Sequence, residues 1–345
     1  MKLASFDFSL PEHLIAQQPA PERDQSRLMV VHRAEKSVEH RVFHELPEIL
    51  NPDSFLVVNT TRVFPARLWA NRPGKQERIE ILLVREEAPD AWVALIRPAR
   101  KAGLGQRLLL GELAARVIGL QPDGSRILAF TGSPDLRGWI EKTGEPPLPP
   151  YIRRASGADL AADRMRYQTV FARQWGSIAA PTAALHFTPR VFGRLAENQI
   201  PCREILLHVG YGTFQPVRCE EIEEHRMQAE YFEVTGKEAA AIEELLARGK
   251  RLIAVGTTTT RVLEHLARQG GFSPGGTSGY CDLFIYPGFA FRAMQGLITN
   301  FHLPRSTLFM LVCAFAGREF MLDCYRQAIE EKYRFFSYGD CMLIL

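Results

Sequence analysis

The run Leu252-Ile253-Ala254-Val255-Gly256-Thr257-Thr258-Thr259-Thr260-Arg261 reads as a buried strand that turns at a glycine into a helix. Free backbone N–H groups point outward from such a helix start and suit a carboxylate or a phosphate. Plain capping by threonine fits the same spacing equally well. The run is neither a P-loop nor a GxGxxG fingerprint, which weighs against a kinase, an NTPase or a dehydrogenase. Gly176–Thr188 (GSIAAPTAALHFT) is rich in small residues, which let a ligand approach the backbone closely. Its His186 is an acid–base group, a stacking partner for a base, or a core histidine with both ring nitrogens satisfied. In Leu207–Phe214 (LHVGYGTF), His208 is expected within a strand. Gly210 and Gly212 follow at the strand's carboxyl end, where open α/β sheets bind ligands.

Further along, Thr299–Thr307 (TNFHLPRST) puts Asn300, His302, Arg305 and Ser306 directly before an apolar helix, with helix capping an alternative for Ser306. Arg334–Asp340 (RFFSYGD) gathers Phe335, Phe336 and Tyr338 beside an arginine and Asp340. A segment like that is either packed or used to stack bases. Arg97, Arg100 and Lys101, with Arg153, Arg154, Arg164 and Arg166, make the candidate phosphate-binding stripe, against a solvated charged face as the plainer reading.

These segments need elements to hold them. From about Arg62 to Pro150 the apolar stretches are short: Ile79–Val84, Trp92–Ile96, Leu108–Leu110, Val117–Leu120 and Ile127–Phe130, with turn residues between. That texture predicts a small antiparallel barrel, ended by the stiff connector Pro146-Pro147-Leu148-Pro149-Pro150. Beyond it the pattern is α/β. Helices are predicted from Thr188-Pro189 to about Asn198, over Lys237–Arg248, after Gly256, and over Arg318–Tyr333. Strands are predicted at Ile205–Val209 and Leu252–Val255, with another at Phe55–Asn59 before the barrel. The expected fold is therefore a layered α/β core with a mixed sheet, residues 1–61 and 151–345, carrying an inserted β-barrel domain at 62–150. Asn59-Thr60-Thr61-Arg62-Val63 lies at the handover, a usual place for a cleft.

Composition narrows the class. Of 345 residues, 46% are hydrophobic and 23% charged, which excludes global disorder. The longest apolar run, Leu308–Ala316, is far short of the roughly 20 residues that cross a bilayer. No signal-peptide core follows Met1, so a cytoplasmic protein is expected. Six scattered cysteines with no CxxC pair argue against a zinc ribbon or a redox site, and no metal is expected. With 42 basic and 39 acidic residues, nucleic acid would be bound through a local patch rather than by overall charge.

In order along the chain stand LPEHLIAQQP (10–19), RDQSRL (23–28), NTTRVFPARL (59–68), RPARK (97–101), PPLPPYI (146–152) and RYQTVFA (166–172). GSIAAPTAALHFT, HVGYGTFQPV (208–217), GTTTTRVLE (256–264), IYPGFAF (285–291), TNFHLPRSTLFMLVCAFAG (299–317) and YRFFSYGD (333–340) follow. Together they resemble one family, the S-adenosylmethionine:tRNA ribosyltransferase-isomerases of queuosine biosynthesis. The resemblance implies an α/β core with an inserted barrel and an enzyme that uses S-adenosylmethionine as co-substrate, with no cofactor. It implies a tRNA bearing 7-aminomethyl-7-deazaguanine at the wobble position as partner, no membrane, and a monomer. His186 and His302 become the acid–base candidates. Asn59, Arg62, Arg166, Tyr167, Thr182, Thr188, Gly210, Gly212, Glu230 and Arg261 become candidate substrate contacts. Gly256, Thr257, Thr258, Asn300, Arg305, Ser306, Phe335, Phe336, Tyr338 and Asp340 join them. Arg97, Arg100, Lys101, Arg153 and Arg154 would meet RNA. The chain departs from the family pattern at Thr60, where aspartate is usual, at Gln228, where histidine is usual, and at Pro73-Gly74, where a glycine pair is common. Those departures keep a noncatalytic tRNA-binding paralogue as the alternative. An ordinary methyltransferase is disfavoured, since no glycine-rich loop follows a first strand.

Overall fold

The computed structural model describes residues 1–155, 160–214 and 217–345; Gln215 and Pro216 of the HVGYGTFQPV segment lie outside them. The chain opens with an antiparallel pair, β1 (Arg27–His32) and β2 (Ser37–Val42), a single turn α1 (Leu46–Ile49) and strand β3 (Ser54–Asn59). After a short β4 (Thr61–Val63) come β5 (Arg67–Ala70), β6 (Ile79–Ala88), β7 (Ala91–Arg97), β8 (Arg107–Leu110), β9 (Leu113–Leu120) and β10 (Arg126–Thr131). Helices α2 (Leu136–Thr143) and α3 (Ala161–Arg166) lead back to β11 (Gln174–Ser177), which pairs with β4. The remainder runs α4 (Pro189–Glu197), β12 (Cys202–Leu207), β13 (Glu230–Thr235), α5 (Gly236–Ala247), β14 (Arg251–Val255) and α6 (Thr257–Arg268). It ends with β15 (Gly276–Cys281), β16 (Gly296–Asn300), α7 (Thr307–Ala316), α8 (Arg318–Glu330) and β17 (Cys341–Ile344).

Nine strands form one mixed sheet in the order β15-β13-β12-β3-β14-β16-β17-β1-β2. Its centre, β12-β3-β14-β16, is parallel, so these four strands end on the same edge. Strand β3 (SFLVVN) is buried at every position because both faces are covered. Phe55 and Val57 point toward the layer of α5–α8, while Leu56 and Val58 point toward α4 and Phe43. The last strand, β17, slots between β16 and β1, so the end of the chain completes a sheet that its beginning started.

Strands β5–β10 form a separate six-stranded antiparallel sheet, ordered β5-β6-β7-β10-β9-β8. Asn71, just past β5, bridges Leu109 of β8 and brings the two edges together, nearly closing a barrel. Its interior is apolar, with Leu68, Ile81, Leu83, Leu108, Val117 and Leu128 buried, and α2 lays Leu136 and Ile140 over one end. The fold is thus the α/β core with a small antiparallel barrel that the sequence texture predicts.

Three local expectations shift. Strand β12 ends at Leu207, so His208 stands just beyond it; its N–H still pairs with Tyr231 O, but its ring bonds sideways to Thr61 Oγ1 at 2.8 Å. Helix α8 stops at Glu330, where Lys332 takes a positive φ of 56°. Strand β5 is an addition to the five predicted barrel segments. Among the described residues, no helix is long and apolar enough to cross a membrane.

Candidate active site at the carboxyl edge of the sheet

Where β14 and β16 end, their loops enclose a cavity of about 430 Å³. Gly256, Thr257 and Thr258 line it from the start of α6, and residues 299–308 line it from the loop that enters α7. Gly256 makes the sharp turn with φ 94° and ψ 152°, a backbone region reserved in practice for glycine. Thr259 and Thr260 donate back to Val255 O and Gly256 O at 2.7 and 3.2 Å, and no threonine side chain caps the helix, whose N-cap is Gly256. Thr258 faces the cavity, and its buried Oγ1 has no hydrogen-bond partner among the described residues. At α7, Ser306 caps the helix, accepting from Phe309 N at 3.2 Å and donating to Leu303 O. Two helix N-termini therefore flank one cavity, and both favour negative charge there.

The small residues Ala179–Ala183, with Thr182, form the floor, and Val209 and Val217 close one side. A stacked aromatic pair also lines it. Phe336, held at φ 72°, stacks on Tyr151 with ring centroids 4.3 Å apart, and Tyr151 Oη meets Ser337 Oγ at 2.5 Å. Burial pushes the Tyr151 hydroxyl well above its ordinary pKa, so it stays neutral. Phe335, the neighbour, turns the other way into the core against Phe301 and Tyr325. The RFFSYGD segment is both packed and presented.

His302 borders the cavity, 7% exposed, with Nε2 2.8 Å from Thr299 Oγ1. Burial drives its pKa down to about 3, so at neutral pH it carries no charge. His186 is equally neutral, its pKa pushed to about 3 by burial and then by Arg334 and Arg23. It lies one layer back, on a second, small cavity of about 20 Å³ shared with Arg23, Arg166 and Tyr338. Its ring bonds Ser26 Oγ at 2.7 Å and Asn300 at 3.2 Å. Asn300 is what stands between His186 and the large cavity.

Other sequence candidates are spent elsewhere. Asn59 gives its amide to Leu207 O and takes Thr61 N and Leu207 N, locking the end of β3 to β12. Arg62 is exposed and pairs with Glu141. Thr188 caps α4 and donates to Asp24. Arg166 holds Pro21 O and Ala20 O. Tyr167 packs edge-on against Tyr338, whose hydroxyl donates to Asp163. Asp340 accepts from Arg27 N and Arg334 N and ties down the C-terminal loop. Gly210 donates to Glu230, and Gly212 passes so close to Gln228 that a Cβ would sit 2.8 Å from its Oε1. Thr60, at the first family departure, donates to Ile205 O and lies off the cavity. Arg305 borders the cavity but pairs with Asp7. In the basic stripe, Arg97, Arg100 and Arg153 are exposed, Lys101 pairs with Glu77 at 2.6 Å, and Arg154 is half-buried in a bidentate pair with Asp163. Residues the sequence reading left aside are Tyr151, Ser337, Thr299 and Ser26, none of which has a chemistry-bearing spacing of its own.

Glu230 and Arg261 form a fully buried ion pair at 2.5 Å, and Arg261 also donates to Leu283 O and Cys281 O. Removing one partner leaves a buried charge uncompensated, so Arg261→Ala is expected to lose about 3–5 kcal/mol of unfolding free energy. Urea titration measures it; a loss under about 1 kcal/mol would contradict the burial argument. Among the described residues, no group of three His, Cys, Asp or Glu side chains is placed to hold a metal.

The family model of the queuosine biosynthesis proteins matches residues 3–344. The S-adenosylmethionine:tRNA ribosyltransferase-isomerase of Moorella thermoacetica is 53% identical over all of both chains, and that of Pelotomaculum thermopropionicum is 50% identical over the same extent. A crystal structure of the S-adenosylmethionine tRNA ribosyltransferase from Thermotoga maritima, 39% identical, covers 99% of this chain and 100% of its own with a TM-score of 0.57. With the mixed sheet, the barrel and the edge cavity in place along that whole length, the chain belongs to the queuosine biosynthesis family, among its S-adenosylmethionine:tRNA ribosyltransferase-isomerases.

Proposed function

We propose that the chain moves the ribosyl part of S-adenosylmethionine onto a 7-aminomethyl-7-deazaguanine at the tRNA wobble position, giving epoxyqueuosine, adenine and methionine. The observation that carries this reading is one cavity lined by two helix N-termini, a stacked aromatic pair and a neutral histidine. Its volume falls in the range of small-molecule sites. The methionine carboxylate suits the Gly256–Thr258 helix start, and a purine suits the Phe336–Tyr151 wall. The sulfonium acidifies the ribose C5′ protons. Loss of one to His302 breaks the ring C–O bond, adenine leaves from C1′ with a proton returned to it, and the aminomethyl nitrogen, giving up a proton, bonds the carbon skeleton as the C5′–S bond breaks and methionine leaves. The modified nucleotide must leave its stack to reach the cavity. We read residues 62–150 as the inserted domain and place phosphate contacts on Arg97, Arg100 and Arg153, in a monomer acting in the cytoplasm without a cofactor.

The assay is direct: incubate the full chain with S-adenosylmethionine and tRNA carrying the precursor base, then follow the small molecules. Adenine and methionine in equal amounts are expected. S-adenosylhomocysteine would mean methyl transfer instead. Retained tRNA binding with no turnover would favour the noncatalytic paralogue, for which Thr60 and Gln228 are the motivating residues.

A further inference from the structure

The side-chain amide of Asn300 is held so that one atom alone is left for a ligand. Asn300 closes β16 at the rim of the large cavity and is 2% exposed. Its Nδ2 lies 3.0 Å from Phe336 O and 3.2 Å from His186 Nε2. A main-chain carbonyl can only accept, so the nitrogen must face Phe336, and flipping the amide would set two oxygens against each other. Both Nδ2 hydrogens are thereby used. His186 Nε2 accepts one of them, which places the ring proton on Nδ1, donated to Ser26 Oγ at 2.7 Å. Ser26 in turn donates to Arg23 O at 3.3 Å. Within this relay from Asn300 through His186 to Ser26 every donor is satisfied, and one acceptor is not: Asn300 Oδ1 is buried without a partner among the described residues. A buried acceptor left unpaired is costly, and a donor arriving from the cavity removes that cost.

We propose that His186 is a positioning residue which, with Ser26, presents Asn300 Oδ1 as the acceptor for an N–H or O–H donor of S-adenosylmethionine. The proposal rests on the functional reading above and gives His186 a role other than proton transfer. The nucleoside offers three donors of this class: the α-ammonium, the exocyclic amine of adenine and the ribose hydroxyls. A carboxylate is repelled at this point and is directed to the helix starts instead. The device is also selective, since an analogue with an acceptor in place of the donor would leave two acceptors facing each other.

The test uses the full chain and S-adenosylmethionine, comparing wild type with His186→Phe, which keeps a ring without an acceptor, His186→Gln, which keeps an acceptor, and Ser26→Ala, a milder change should a His186 variant fold poorly. Affinity is read by calorimetry, and KM, kcat and their pH profiles by adenine release. We expect Kd and KM to rise about 10- to 100-fold in His186→Phe and by less in Ser26→Ala. His186→Gln should recover part of the loss, with kcat within about 5-fold of wild type and an unshifted pH profile. Wild-type affinity in both His186→Phe and Ser26→Ala would overturn the proposal. So would a large fall in kcat at unchanged KM in His186→Gln, which would restore His186 to proton transfer. A wild-type chain that binds no S-adenosylmethionine would instead overturn the functional reading, and the ligand named here with it.

Discussion

Gly256→Ala is expected to cut kcat/KM for adenine release at least 100-fold while leaving a folded protein. Two effects add at this position. The first is conformational: φ 94° with ψ 152° is a region that side chains with a Cβ avoid, at about 1–3 kcal/mol. The neighbours do not forbid a methyl group, since a Cβ would meet Ala183 Cβ and Thr258 Oγ1 at 3.8 Å, an ordinary contact. The residue fits, and the backbone resists. Relief comes by rotating the first turn of α6, whose N–H groups are the proposed carboxylate anchor. The second effect is placement, because Ala183 and Thr258 both line the cavity and a Cβ between them enters it. A displacement of about 1 Å at such an anchor costs on the order of 100-fold in rate. Gly249→Ala is the control. Its φ is 76° in a turn after α5, with nothing within 4 Å of a built Cβ, so it carries backbone strain without reaching the site. Equal loss of turnover in both variants would reduce the Gly256 effect to stability; normal turnover in Gly256→Ala would remove the carboxylate anchor from the mechanism.

The same glycine shows what local sequence reveals. A buried strand followed by a glycine specifies β14, its turn and the start of α6, because strand burial and a glycine-only backbone turn are short-range physics. Thr188 before Pro189, and Ser306 before its apolar helix, are readable for the same reason. Short apolar segments with turns between them likewise announce the barrel, although β5 shows a four-residue alternation too brief to stand out. Long-range pairing has no such local signal. Nothing in Cys341–Ile344 says that it will lie between β16 and β1, some 300 residues from its parallel neighbour. The site follows the same division. That Ala179–Ala183 and residues 299–308 are unusual is visible in composition; that they face one cavity follows from the parallel order of β3, β14 and β16. Asn59 and Arg62, at the handover to the barrel, illustrate the limit. Their polarity suggests a cleft, yet Asn59 is consumed in joining β3 to β12 and Arg62 in an exposed pair, because strand ends also need polar partners. His186 and His302, alike in sequence, differ by one layer of protein.

Those two histidines make the folded protein acid-sensitive well above the range where carboxylates titrate. An unfolded histidine has a pKa near 6.5, whereas burial holds both His186 and His302 near about 3 in the folded chain. A folded-state pKa below the unfolded one means that the unfolded chain binds more protons between those values. Stability is therefore complete above about pH 6.5 and is lost as pH falls toward 3. Each histidine contributes a slope of about 1.4 kcal/mol per pH unit, so the pair loses on the order of 5 kcal/mol between pH 6.5 and 4.5. That is comparable with the whole stability of an ordinary domain. Glu77, held down to about 2 by Arg72 and Lys101, gives up its contribution only as pH falls from about 4.5 toward 2, below the span from pH 6.5 to 4.5. His208, His225 and His265, each lowered chiefly by burial, act in the same direction and are more accessible to water. Urea unfolding at pH 7, 6 and 5 reads the slope directly, and His302→Gln should flatten it by about one proton's worth while altering stability at pH 7 far less. A midpoint that stays level from pH 7 to 4.5 would mean that the two rings are hydrated in the folded protein. The same burial bears on chemistry: a ring that resists protonation in the empty cavity is neutral there at working pH.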